Sequence, residues 1–257
     1  GTKISAGFDI ADENSNAIDP GGLTLTFTDG SSLDIIEAGH AAYSYEAAVP
    51  GASGEQGISA ATSNAAKRGI DGVSGNNAVG FEWASGADAM GVDGLSFGFS
   101  MSSGDESNTT SSANADSSTS GGVSYATTTG DTTVTIGAGF VEGSDNNSNS
   151  AVELSVWNLG AVAVNGDFTV GAGVGQGEFS SDQGDIDAAD AAMADVEEWE
   201  AMEAGISYVS GDLTFTASYS TATAKDHQAG TTIASTEKED ESEATSMSLD
   251  YAVATGV

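Results

Sequence analysis

The sequence has no cysteine, only two prolines and only five basic residues among its 257 positions. The absence of cysteine excludes a disulfide framework and any metal site built on thiolates. Against the five basic residues stand 39 acidic ones, which gives a formal net charge of −34. This balance excludes nucleic acid as a partner, because DNA and RNA binding depends on clustered Lys and Arg.

Long apolar runs and large apolar residues are also scarce. No segment approaches the roughly 18 consecutive apolar residues that a membrane-spanning helix needs. Leu, Ile, Val and Phe together account for 45 of the 257 residues, below the roughly 20% at which a highly charged chain is suspected of disorder. Composition alone would therefore describe an unfolded acidic chain, and the case for order depends on where the apolar residues lie.

Apolar residues recur at every second position in segment after segment, the spacing that places one set of side chains on each face of a β-strand. The clearest segments are Leu23, Leu25 and Phe27; Val79, Phe81 and Trp83; Leu95, Phe97, Phe99 and Met101; Val134, Ile136, Ala138 and Phe140; Val152, Leu154 and Val156; Phe168, Val170, Ala172 and Val174; Leu213, Phe215, Ala217 and Tyr219; and Met247, Leu249, Tyr251 and Val253. The intervening positions are Ser, Thr, Gly and some carboxylates, among them Asp34, Glu82 and Glu153. Because buried polar groups without partners cost several kcal/mol each, this second face is predicted to contact water.

Two kinds of connection alternate along the chain. The short ones carry hairpin chemistry at Asp29-Gly30, Gly130-Asp131, Gly166-Asp167 and Gly211-Asp212. The long polar stretches are residues 11–22, 40–76, 102–122, 142–150, 177–200 and 223–244. One stretch, residues 186–204 with Met193, Val196 and Trp199, is helix-like and is interpreted as part of a loop. The pattern predicts about twelve strands in an up-and-down antiparallel sheet.

The apolar face of this sheet has no amphipathic helical layer to cover it. Lipid is then the natural cover, so the sequence predicts an all-β, up-and-down antiparallel transmembrane β-barrel that forms a single domain over residues 1–257. Aromatic residues near strand ends would form an interfacial girdle: Trp83, Tyr125, Tyr208, Tyr219 and Tyr251. Trp157 lies on the polar parity of its strand, which indicates either a bulge or a subunit contact. The alternative is a secreted acidic surface protein or adhesin, in which the apolar faces of two sheets pack against each other.

Residues 22–30 read Gly-Leu-Thr-Leu-Thr-Phe-Thr-Asp-Gly, and residues 33–39 continue with Leu-Asp-Ile-Ile-Glu-Ala-Gly before a long loop. This order resembles the general porins of Gram-negative bacteria, especially the alphaproteobacterial kind. The resemblance implies a sixteen-stranded outer-membrane barrel that assembles as a homotrimer and lets small hydrophilic solutes diffuse passively. By that alignment residues 3–10 are the third strand and residues 245–254 the fourteenth, so the chain is expected to be a fragment that lacks strands at both ends.

The resemblance also implies that residues 40–76 form the loop that folds into the lumen and narrows it. This loop holds Glu46, Glu55 and Asp71 beside Lys67 and Arg68. Basic residues for an opposing cluster are almost absent elsewhere, so the lumen is predicted to be lined by carboxylates, with Asp34, Glu82 and Glu153 on the wall, and to select cations. The overall acidity fits a marine or saline habitat, where salt screens like-charge repulsion.

Other chemistry finds little support in the sequence. Asp185, Asp187 and Asp190 form the densest acidic cluster and are the candidate ligands for Ca²⁺, which takes oxygen ligands. They lack the Asp-x-Asp-x-Asp-Gly spacing, and solvated loop residues are the competing interpretation. Only His40 and His227 could act as imidazole bases, and no nucleophile elbow, His-Glu-x-x-His motif or phosphate loop is present. The prediction is a protein that is not an enzyme and has no cofactor beyond this candidate Ca²⁺.

Overall fold

The structure of the chain is a computed structural model that describes residues 3–6, 23–35, 41–51, 79–103, 117–147, 150–181, 195–228 and 238–252. Its strands are β1 (Lys3–Ala6), β2 (Leu23–Thr26), β3 (Ser32–Ile35), β4 (Val79–Ala84), β5 (Leu95–Ser103), β6 (Ser117–Thr129), β7 (Thr132–Asn147), β8 (Ser150–Asn165), β9 (Phe168–Ser181), β10 (Asp195–Ser210), β11 (Leu213–Gln228) and β12 (Lys238–Tyr251). Within these ranges helical structure is limited to α1 (Ala41–Ser44) and a 3₁₀ turn at Ala89–Gly91. The prediction of an all-β fold is confirmed.

All twelve strands belong to one sheet, in which each strand pairs antiparallel with its neighbour in the chain. The predicted up-and-down antiparallel order is therefore confirmed for the described residues. The pairings of the described residues run from β1 to β12 and include none between these two strands. No helix in the described part of the chain is long and apolar enough to cross a membrane.

Short turns connect the strands at one rim of the sheet. β6 and β7, β8 and β9, and β10 and β11 are joined by two-residue Gly-Asp loops. Gly130, Gly166 and Gly211 have φ of 61°, 54° and 60°, as the first position of a type II′ turn requires. The longer turn between β4 and β5 is stabilised by the Gly94 N–H, which donates to the Asp88 carboxylate over 2.7 Å.

Several strands are longer than the alternating pattern predicts. β7 extends to Asn147 and β8 begins at Ser150, so residues 142–150 are not the predicted long loop. β10 begins at Asp195, so the last ten residues of the predicted helix-like stretch are a strand paired with both β9 and β11. Both errors have one cause: backbone pairing continues where the side chains no longer alternate between apolar and polar.

The two sides of the sheet differ in a way that is the reverse of a soluble domain. Large apolar side chains on one side are exposed, with Ile136 at 45%, Phe168 at 53% and Leu249 at 70%. The opposite side carries small residues that are buried, including Ser100 and Ser120. We call these the apolar side and the covered side.

The strand β8 contradicts the predicted assignment of its two faces. Val156, expected with the apolar set, is buried on the covered side, whereas Trp157 and Leu159 are exposed on the apolar side. Val162 is also buried on the covered side, where it meets Ala47 and Val49. Apolar residues thus occupy both faces of β8, and alternation alone assigned Trp157 to the wrong one.

Candidate functional site: a strap across the covered side

Residues 41–51, here called the strap, lie on the covered side and cross it from β5 to β11. Tyr45 lies over β5 and β6 beside Gly98 and Gly122. Pro50 lies over β9 and β10 beside Gly171 and Gly205. The strap is the first part of the loop predicted to narrow the lumen, and residues 52–76 of that loop lie outside the described residues.

Hydrogen bonds fix the strap at both ends. The backbone N–H of Ala41 donates to Ser100 Oγ over 3.1 Å, and that of Ala42 donates to Ser120 Oγ over 2.9 Å. The first N–H groups of a helix have no partner within the helix, so these two serines complete the start of α1. At the other end the Ser218 hydroxyl donates to the Gly51 carbonyl oxygen over 2.5 Å.

Glycines on the covered side make room for the strap. A Cβ on Gly98 would lie 2.7 Å from the Tyr45 ring, and one on Gly139 would lie 2.8 Å from the Ala42 side chain. A Cβ on Gly137 would collide with the Tyr45 carbonyl oxygen, and one on Gly205 with the Pro50 carbonyl oxygen. Glycine therefore permits the close approach of two backbones at several points along the crossing.

Three of the predicted lumen carboxylates lie in the described region. Asp34 on β3 is directly opposite Glu82 on β4, and Glu82 is opposite Ser100, which is bound to the strap. This register places both acids on the covered side. Glu46 belongs to the strap itself and is half-buried.

The pKa of Tyr45 reflects both its burial and the negative charge of this region. The side chain is 7% exposed, and burial is the main cause that raises the pKa of its phenol above 10.0, with the negative charge of Glu82 adding to the effect. The neutral phenol is therefore the form held between the strap backbone and the sheet. Like-charged acids directly opposite each other, as at Asp34 and Glu82, are unfavourable in a sheet unless water or cations reach them.

The side chains of the other predicted site residues lie outside the described part of the structure. Glu153 is a β8 residue whose side chain is not described. Five predicted positions of the loop of residues 40–76 lie outside the described residues: His40, Glu55, Lys67, Arg68 and Asp71. The candidate Ca²⁺ ligands Asp185, Asp187 and Asp190 also lie outside them. In the part of the chain that the structure does describe, no group of three His, Cys, Asp or Glu side chains could hold a metal ion.

Aromatic residues cluster on the apolar side near the short-turn rim. Ring centroids are 5.3 Å apart between Trp83 and Phe97, and 4.5 Å apart between Phe168 and Tyr208. Tyr125 and Tyr251 are exposed on strands that end at the same rim. Tyr219 is also exposed, but it lies further from the rim, opposite Ala204 and Thr245.

Sequence reasoning missed the buried polar side chains of the covered side, chiefly Asn158 at 2% exposure and Glu203 at 4%. It also missed that glycines on the covered side make room for the strap. A usable signal was present in the glycines at alternate positions, such as Gly137 with Gly139 and Gly171 with Gly173. In a strand, such a repeat marks the close approach of another backbone or a ligand.

Comparison with known proteins adds no assignment. No protein-family model matches the chain, and no curated protein matches it significantly.

Proposed function

We propose that this chain forms the wall of a transmembrane β-barrel pore that lets small hydrophilic solutes diffuse passively across the outer membrane of a Gram-negative bacterium. One observation carries the proposal: the side of the sheet with large apolar residues is exposed, and the side with Ser and Gly is covered. Burying apolar surface is worth roughly 25 cal/mol per Å², so an exposed apolar side calls for an apolar environment. Hydrocarbon chains of a bilayer supply that environment.

The alternative, a secreted acidic adhesin, requires the apolar faces of two sheets to pack together. Large exposed apolar residues occur on every strand from β4 to β12, for example Phe81, Val123, Val170 and Met247. Soluble proteins rarely expose contiguous apolar patches larger than a few hundred Å². The extent of this surface favours the pore over the adhesin.

In the proposed pore the strap narrows the water-filled lumen, and no bond is made or broken. The strap crosses seven consecutive strands, from β5 to β11, and is fixed by Ser100, Ser120 and Ser218. A segment fixed at both ends reduces the open cross-section without closing it. Solutes would pass the strap and the acids beside it, and their size and charge would set the rate.

Cation preference follows from the charges that face the covered side and the rim. Glu46 belongs to the strap, Glu82 lies opposite the strap-bound Ser100, and Asp34 lies opposite Glu82. The two basic residues of β11 and β12, Lys225 and Lys238, occupy register positions opposite acids. Walls of one charge sign concentrate counter-ions, so cations are favoured over anions.

Closure and assembly are part of the same proposal. An open sheet of this length would leave two unpaired edges, which proteins avoid by closing the sheet or covering the edges. We propose that the free edges of β1 and β12 have hydrogen-bonded strand partners in a closed barrel in the membrane. We also propose that the barrel assembles as a homotrimer, as in the family that the sequence resembles.

Reconstitution of the protein in a planar lipid bilayer tests the proposal. We expect stepwise increases in conductance and, under a KCl gradient, a reversal potential of the sign for cation preference. The double variant Asp34→Asn with Glu82→Gln should reduce that preference, while Asp131→Asn, at a hairpin turn, serves as the matched control. An absence of steps, or a preference for anions, would contradict the proposal.

A further inference from the structure

The side chain of Asn158 is buried without a hydrogen-bond partner. It is 2% exposed, and neither its amide nitrogen nor its amide oxygen has a partner. Its chain neighbours Trp157 and Leu159 are exposed on the apolar side, so Asn158 faces the covered side. An unsatisfied buried polar group costs about 1–3 kcal/mol, and such a group in a native protein requires an explanation.

Asn158 lies among glycines and small apolar side chains: Ala42 of the strap lies against Gly139, and Val141 and Val156 are buried at the next positions of the covered side. Its direct neighbours across the ladder are Gly139 on β7 and Gly175 on β9. On β9 the next positions of the covered side, Gly173 and Gly177, are also buried glycines. The buried carboxylate residue Glu203 is paired with Gly173 from the other side of β9.

The strap bounds this area on one side. Pro50 contacts Gly171 of β9 and Gly205 of β10, each two residues nearer the short-turn rim than Gly173 and Glu203. The glycine surface, Asn158 and Glu203 therefore lie together, next to the strap and toward the long connections. We call this area the glycine seat.

The chemistry of the amide selects the kind of ligand. An Asn side chain offers two N–H donors and one carbonyl acceptor at the same time. A metal cation would use only the oxygen, an ammonium ion would only donate, and an anion would only accept and would be opposed by the net charge of −34. A hydroxyl group both donates and accepts, and a surface of glycine backbone lets a ring approach closely.

From this geometry we infer that the glycine seat binds a neutral polyhydroxylated solute of the sugar class, with Asn158 exchanging hydrogen bonds with its hydroxyl groups. The inference rests on the proposed pore in placing the seat beside the narrowest part of the solute path. Asn158 is then a specificity residue. Its amide has no hydrogen-bond partner in the unliganded protein and gains partners when the solute binds.

Sucrose is the probe, added to the full chain reconstituted in a planar bilayer, with glycine betaine at equal osmolality as a control solute without hydroxyl groups. We expect sucrose, but not betaine, to reduce the conductance saturably. Asn158→Leu should raise the half-saturating sucrose concentration about tenfold or more, as the loss of one or two hydrogen bonds implies. Asn165→Ala, at a hairpin end where the amide bonds Thr132, should leave it unchanged.

Thermal unfolding without sucrose separates this role from a structural one. Replacing an unpartnered amide by an apolar group is expected to be neutral or stabilising, so Asn158→Leu should retain the wild-type midpoint or exceed it. A clearly lowered midpoint together with an unchanged sucrose response would overturn the inference.

The experiments can contradict the proposed pore and the proposed ligand site at the glycine seat independently of each other. Normal conductance steps with no saturable sucrose effect would overturn the seat and leave the pore standing. If no steps are seen, the pore is contradicted, and calorimetric titration of sucrose into the detergent-solubilised protein then tests the seat alone. Heat of binding that is lost in Asn158→Leu supports the seat, and absence of binding in the wild type overturns it.

Discussion

Single residues at the turns and on the strap carry interactions that can be tested one at a time. At the β2–β3 turn the Asp29 carboxylate accepts hydrogen bonds from the Ser31 hydroxyl over 2.7 Å and from the Ser31 N–H over 3.0 Å. Such an Asx turn lets the side chain take the place of a backbone turn bond. The Ser31 side chain contributes most to lowering the pKa of Asp29 below 3.8.

The Asp29 interaction should give the turn a dependence on acid pH. Because the pKa of Asp29 is lower in the folded protein, its stabilising contribution is present above the unfolded-state pKa of about 3.9 and is lost as pH falls through the folded value. We expect NMR titration of the Asp29 carboxyl carbon to show this lowered pKa and Ser31→Ala to return it toward normal. An unchanged pKa in Ser31→Ala would contradict the assignment.

Tyr45 should report on the strap at alkaline pH. Its pKa is raised by burial and by Glu82, so the folded protein disfavours the phenolate, and stability is lost as pH rises above the unfolded-state pKa of about 10. We expect the Tyr45 signal in NMR of ¹³C-tyrosine-labelled protein, assigned by comparison with Tyr45→Phe, to titrate above the ordinary tyrosine pKa of about 10.

The neighbouring acid offers a check on that titration. Glu82→Gln removes the charge and should lower the pKa of Tyr45 only in part, because burial is the larger cause. A Tyr45 whose pKa is not raised above the ordinary value for tyrosine would show that the phenol is not buried between the strap backbone and the sheet.

At the scale of elements, alternation predicts which segments are strands far better than where they end. β5, β9 and β11 repeat apolar residues at every second position and begin where the pattern predicts them, although β9 and β11 continue into residues predicted as loops. The ends of β7, β8 and β10 are polar or acidic, and there the backbone ladder extends the strand without a signal from the side chains.

The candidate site was predictable only in outline. The sequence and its family resemblance indicate a loop that begins near residue 40 and acids on the wall, and the described part of that loop does cross the covered side. The glycines that make room for Tyr45 and Pro50 were not predictable, because Gly98 and Gly205 meet the strap only through tertiary contact. The same limit applies to Asn158, whose burial depends on which face of β8 is covered.

Adding a single methyl group beneath the strap should release it. In Gly137→Ala and Gly205→Ala the new Cβ would collide with strap carbonyl oxygens, and overpacking of this kind typically costs about 1–3 kcal/mol. We expect a lower thermal midpoint and faster proteolysis within residues 41–51.

Gly177→Ala is the matched control for the strap variants. It lies on the same side of the sheet, but the nearest atoms to its Cβ would belong to Val156, at 3.1 Å, and to the Ser155 carbonyl oxygen, at 3.6 Å, and not to the strap. Equal proteolysis of the strap in all three variants would mean that Gly137 and Gly205 do not determine where the strap lies.

At the scale of the whole molecule the decisive features are the exposed apolar side and the net charge of −34. A protein with this charge that lacked an exposed apolar surface would remain in water. With a continuous apolar side it should partition into the detergent-rich phase when a detergent solution is warmed to separation. Recovery as a monodisperse monomer from the detergent-free phase would favour the adhesin alternative.

In the proposed pore the apolar side of the sheet faces lipid and the covered side does not. The absence of native cysteine allows single nitroxide labels to be placed through Phe140→Cys, Val170→Cys and Phe215→Cys on the apolar side. Thr135→Cys on the same strand as Phe140, and Ser207→Cys on β10, provide matched positions of opposite parity.

Electron paramagnetic resonance accessibility in reconstituted vesicles is the most direct measurement. We expect labels at Phe140, Val170 and Phe215 to collide with lipid-soluble oxygen more than with a water-soluble nickel chelate, and labels at Thr135 and Ser207 to show the opposite preference. Chelate-dominated collisions at the three apolar-side positions would contradict this orientation of the sheet.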